Sequence, residues 1–132
     1  MAGNVARGGT PIGRVRGLGS AHEGTGHWWH QKLTAGTNIF VMAWLLISLL
    51  RRPSYDYASM HAWMQSAWVA VPMILLILSV FYHFRLGLQV VIEDYAHNVS
   101  RVAAMIALNV FVVATGGLAI FSILKIAFGA AA

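Results

Sequence analysis

Three long runs without a formal charge restrict this chain more than any other feature. Leu33–Leu50 holds 18 such residues and Val102–Leu124 holds 23. Between them, Ala67–Phe81 contains only apolar or small side chains, and the span is expected to continue beyond this uncharged run, through His83 to Tyr95. A helix rises 1.5 Å per residue, so about 20 apolar residues cross a hydrocarbon core of roughly 30 Å. In lipid a helix satisfies its backbone N–H and C=O groups internally, which an open strand does not. The expected fold is all-α and integral to the membrane, with three transmembrane helices at 33–50, 62–95 and 101–128. Residues 1–31 form an N-terminal segment outside the membrane, and 32–130 form the three-helix unit.

Composition agrees and excludes several functions. Of the 132 residues, 58% are hydrophobic and 10% charged, against about 25% charged in a soluble domain. With no cysteine, the chain has no cysteine-ligated iron–sulfur cluster, disulfide or covalent c-type haem. No glycine-rich nucleotide fingerprint follows a strand, so a flavin or nucleotide domain must sit on another chain. The net charge of +5 comes from scattered basic residues, which reads as membrane topology and not as nucleic-acid binding. No nucleophile–base pair or two-carboxylate arrangement is visible, so the chain alone is not expected to be catalytic.

The N-terminal residues Met1–Ser20 carry Arg7, Arg14 and Arg16, no acid and no apolar core. A secretory signal needs such a core. The segment is glycine-rich with a single serine, unlike a transit peptide, and reads as a cytoplasmic tail. The run His22-Glu23-Gly24-Thr25-Gly26-His27-Trp28-Trp29-His30 gathers three histidines. Gly24 and Gly26 are expected to interrupt any helix that would align them on a metal, and Trp28 and Trp29 fit an interfacial belt. Arg51-Arg52-Pro53 stops the first span, a short polar connection follows, and His61 enters the second as a structural residue. Pro72 removes one backbone hydrogen bond and is expected to kink that span. With the N-terminus inside, the inner side holds Arg7, Arg14, Arg16, Lys32 and Arg101, against Arg51, Arg52 and Lys125 outside. That bias favours a cytoplasmic N-terminus.

The second span ends in the stretch of greatest chemical interest. At 100° per residue, Gly87, Val90 and Asp94 fall within about 40° of His83 on one helical stripe. An ionisable residue inside an apolar span is a functional hypothesis by default. Two readings stand for His83: a hydrogen-bonded packing histidine, or an axial ligand to a haem iron. Gly87 would let a flat macrocycle approach the backbone. Arg85 lies about 200° from His83 and faces away from this stripe, to snorkel or to pair with another subunit. A six-coordinate b-type haem takes a second axial ligand, commonly His or Met. No other histidine reaches membrane depth, and Met42, Met73 and Met105 read as packing residues. The haem reading therefore points to a histidine from a different polypeptide. Tyr95 is either an interfacial belt residue or a hydrogen-bond donor to a ligand. Asp94 is either its polar partner or a carboxylate beside Arg101, while Glu93, about 100° away, reads as a solvated or inter-subunit charge.

His83, Gly87, Gln89, Asp94 and Tyr95 together resemble the second transmembrane helix of the smaller hydrophobic membrane anchor of succinate dehydrogenase. Gly19–Ala35 resembles the N-terminal segment of alphaproteobacterial and mitochondrial-type members. The resemblance implies a membrane anchor of respiratory complex II, a succinate:ubiquinone oxidoreductase linking the tricarboxylic acid cycle to the respiratory chain. It implies that His83 ligates haem b and that Tyr95 donates a hydrogen bond to a quinone carbonyl. Asp94 would belong to the quinone pocket. Lys32 would sit near the haem propionates, snorkelling being the alternative. The implied partners are a flavoprotein with FAD, an iron–sulfur protein and a second anchor, the cytochrome b subunit, packed with this chain into a haem-binding bundle. The expected location is a bacterial inner membrane ahead of a mitochondrial one. Two other readings are a menaquinone-linked fumarate reductase anchor and a cofactor-free membrane adaptor.

Overall fold

The computed structural model describes Ile12 and residues 24–129. Apart from Ile12, the Arg-bearing segment and His22 lie outside the described residues. The elements in order are α1 (Gly24–Leu50), α2 (Tyr57–Gln65), α3 (Ala67–Tyr95) and α4 (Asn98–Ala127). No strand is present among the described residues. Helices α1, α3 and α4 contain 27, 29 and 30 residues and are long and apolar enough to cross a membrane. The chain is an all-α membrane protein, as its uncharged runs predict.

Several boundaries differ from the expected ones. Helix α1 begins at Gly24 and runs through Gly26, so these glycines do not interrupt it. They occupy the first turn, where the N–H groups have no intrahelical partner. His27 and His30 consequently stand three residues apart on one helix. Part of the connection before the second span is itself helical. Asp56 caps α2 by accepting from the Ser59 N–H at 3.0 Å. The second span breaks at Ser66, whose backbone is extended (φ −68°, ψ 129°). There the Ser66 N–H bonds Trp63 O at 3.2 Å, and Ser66 O accepts from Val69 and Ala70. Helix α3 then continues through Pro72. Helix α4 starts at Asn98, ahead of the expected Arg101. Asn98 adopts φ +51°, a left-handed conformation that asparagine tolerates better than most residues.

Helix α3 is the centre of the molecule. It packs against α1 on one side and α4 on the other, and among the described residues α1 and α4 make no significant contact. Helix α2 touches α3 and α4. A row of helices buries little: among the described residues, Val69, Ala70, Leu76, Leu86, Leu108 and Ile123 are the buried apolar side chains. Gly116 is buried in the α3–α4 contact, where a Cβ would lie 3.6 Å from the Phe81 ring, at ordinary van der Waals distance. Its neighbour Gly117 faces open space.

Candidate functional site

His83 lies at the α1–α3 contact. Its Nδ1 is 2.9 Å from Thr34 Oγ1 on α1, and its Nε2 has no hydrogen-bond partner among the described residues. One turn further, a Cβ on Gly87 would meet Gln31 Nε2 of α1 at 3.7 Å. The stripe expected from helical geometry therefore faces α1 at these two positions. A second polar tie joins the same helices: Tyr82 Oη and His30 Nδ1 are 2.9 Å apart, with their rings edge to face. Sequence reading does not single out Thr34 or Tyr82. Neither stands out in its own helix, and only the pairing of α1 with α3 gives them partners.

Between the N-terminal part of α1 and the C-terminal half of α3 opens a cleft of about 760 Å³, with His27, His30, Tyr82, Gln89 and Glu93 among its walls. Glu93 Oε1 accepts from Gln89 Nε2 at 3.0 Å and pairs with Arg101 at 3.5 Å. Arg101 thus takes Glu93, not Asp94, as its carboxylate, and Glu93 is tied within the chain. Asp94 is exposed. Tyr95 is 82% exposed at the end of α3 and stands outside the cleft walls. Lys32 is exposed, its Nζ 5.7 Å from the Trp28 ring centroid. Three buried polar atoms on α1, His27 Nε2, Gln31 Oε1 and Asn38 Oδ1, lack partners among the described residues, which leaves polar capacity for a ligand or a neighbouring chain.

Arg85 points the other way, as its helical angle requires. Its Nε donates to Asn109 Oδ1 on α4 at 2.6 Å, and Asn109 Nδ2 donates to Met105 O at 2.8 Å. The guanidinium is satisfied in part within the chain. His61 stacks on Tyr57 at 5.6 Å between ring centroids, in keeping with a structural role.

No group of three His, Cys, Asp or Glu side chains among the described residues is arranged to hold a bare metal ion. A haem makes a smaller demand, since the macrocycle brings its own nitrogens and the protein supplies axial ligands. His83 fits that demand. One ring nitrogen is held by α1, the other has no partner among the described residues, and the imidazole lies within a helix long and apolar enough to cross a membrane.

Residues 6–118 match the succinate dehydrogenase/fumarate reductase transmembrane subunit family. The chain belongs to this family. Three relatives are each named as a succinate dehydrogenase hydrophobic membrane anchor subunit. The one from Rickettsia bellii is 31% identical over 105 residues, covering 79% of this chain and 84% of the relative. The one from Paracoccus denitrificans is 28% identical over 121 residues, covering 92% and 94%. The one from Rickettsia conorii is 27% identical over 106 residues, covering 79% and 84%. No solved structure matches the chain.

Proposed function

We propose that this protein is the smaller hydrophobic membrane anchor of a succinate:ubiquinone oxidoreductase. Its task is to hold the flavoprotein and the iron–sulfur protein at a bacterial inner membrane and to form the quinone-reduction site with them and a second anchor. The similarity to the Paracoccus anchor over nearly the full length of both chains carries this reading. The three spans and the unpartnered apolar surface accord with it. Residues 1–31 form the cytoplasmic segment and 32–130 the anchor, with the N-terminus inside.

His83 is assigned as one axial ligand of haem b. Its Nε2 has no partner among the described residues, and the second ligand comes from the partner anchor. Bound there, haem b supplies a site that takes up and gives back one electron. Gly87 keeps the backbone beside His83 free of a side chain. Lys32, at the membrane entry of α1, places a positive charge for the propionates.

Tyr95 and Asp94 are assigned to the quinone site. Electrons passing from FAD through the iron–sulfur centres of the partners reduce ubiquinone, which takes two electrons and two protons to give the quinol. The Tyr95 hydroxyl donates a hydrogen bond to a quinone carbonyl, fixing the ring and stabilising negative charge as it develops. Asp94 keeps a polar, protonatable group next to it. The exposure of Tyr95 suits a pocket whose remaining walls belong to other subunits.

The test is a dithionite-reduced minus oxidised spectrum of the complex purified through this chain, with His83→Ala beside it. A b-type signal in wild type that is altered or lost in the variant is expected. A wild-type signal retained in His83→Ala would move the ligand elsewhere. For the quinone site, Tyr95→Phe is expected to lower quinone reductase activity about 100- to 1000-fold, the range for loss of one oriented donor. Succinate oxidation with a soluble acceptor is expected to remain.

A further inference from the structure

We infer that Thr34 is a positioning residue for His83: it fixes which ring nitrogen carries the proton and so presents Nε2 as the bare donor. The inference rests on the assignment of His83 as an axial ligand. Thr34 Oγ1 has three neighbours within hydrogen-bond distance: His30 O at 2.7 Å, Gln31 O at 3.2 Å and His83 Nδ1 at 2.9 Å. A hydroxyl has one proton and two lone pairs, whereas a carbonyl oxygen only accepts.

Two proton arrangements are conceivable, and the distances separate them. If Thr34 donated to His83 Nδ1, its lone pairs would face His30 O at 2.7 Å with no proton between two acceptors. If Thr34 donates to the His30 carbonyl, a lone pair is left for an Nδ1–H of His83. The two shorter contacts, to His30 O and His83 Nδ1, are then both hydrogen bonds, and Gln31 O at 3.2 Å can only share the proton given to His30 O. A neutral imidazole carries a single N–H, so a proton on Nδ1 leaves the lone pair on Nε2. That nitrogen has no partner among the described residues. The threonine is in turn fixed by the backbone of its own helix, which makes α1 the element that sets the ring's rotation about α3.

An outer hydrogen bond accepted from a ligating histidine orients the ring and raises its basicity. A more basic axial ligand favours the oxidised, more positive iron. Loss of the Thr34 oxygen should therefore move the haem midpoint potential to more positive values and loosen haem retention. A hydroxyl acceptor is uncharged, so the effect is smaller than a carboxylate at the same place would give.

The experiment compares Thr34→Val and Thr34→Ser with wild type and His83→Ala, each in the whole complex. Haem content is read from difference spectra, the midpoint potential by redox titration, and the axial-ligand signature by electron paramagnetic resonance. The inference expects Thr34→Val, which keeps the shape but removes Oγ1, to shift the potential upward, change the resonance and retain less haem. Thr34→Ser should stay near wild type. If Thr34→Val matches wild type in all three while His83→Ala alters or loses the signal, the Thr34 role is overturned and the haem assignment stands. Equal damage from Val and Ser also overturns it, because packing and not the hydrogen bond would then be responsible. A wild-type spectrum in His83→Ala, or a wild-type complex without haem, overturns both.

Discussion

Asp56 has the most perturbed ionisation among the described side chains, and it lies outside the spans. The Ser54 hydroxyl and the Ser59 backbone N–H donate to its carboxylate, lowering its pKa from 3.8 to about 2. Because the folded value is depressed, the stabilisation is fully present above the unfolded pKa. It is lost as pH falls through the folded value, so the window lies between pH 3.8 and about 2. The group is exposed, so the effect stays local to the α2 cap. Amide exchange at Ser59 and Met60 should quicken over that window, and Asp56→Ala should reproduce the change at neutral pH. Asp56→Asn should hold most of the cap, since asparagine also accepts from the N–H groups at a helix start. Equal exchange in the Ala and Asn variants would contradict this account.

At the scale of the element, the α3–α4 pair depends on one small residue and one polar bridge. A Cβ added to Gly116 would meet the Phe81 ring at ordinary contact distance, so Gly116→Ala should be accepted and Gly116→Leu should force the helices apart. Gly117→Leu, facing open space within this chain, should leave α3–α4 packing intact. Cross-linking of cysteines placed across the two helices would read the difference. Asn109→Leu removes the acceptor for Arg85 at membrane depth and should cost about 1.5–3 kcal/mol, the range for a hydrogen bond to a charged group. Asn109→Asp should recover it. Thermal release of the anchor from the complex measures both. The helices themselves are legible in the sequence, because uncharged length is a strong signal. The break at Ser66 is not: proline is the residue expected to disturb this span, by a kink at Pro72, and nothing in the sequence marks Ser66, where the extended backbone separates the two helices. The angle between His83 and Arg85 is also legible, and it correctly puts the two on different sides of α3. What each meets there is not, because Thr34 and Asn109 lie 49 and 24 residues away in the chain.

As a whole, the molecule leaves large apolar side chains uncovered. Trp68 is 87% exposed and Phe40 79%, and α1 contains no buried residue. A surface this apolar belongs against lipid or other chains. Expressed without its partner anchor, the protein should accumulate several-fold less in the membrane than when the two are made together. Quantitative immunoblotting of membrane fractions would check this, and equal accumulation would argue for an anchor that stands by itself.

A row of three helices in which the outer two never meet has almost no inside. In most proteins the positions that tolerate least change are those the chain hides from its surroundings. Here such positions are few, and many large apolar residues look outward. A saturation scan would therefore trace the outline of absent neighbours: the intolerant outward faces would mark protein contacts, and the permissive ones would mark lipid. The chain would serve as a mould from which the shape of its partners can be taken.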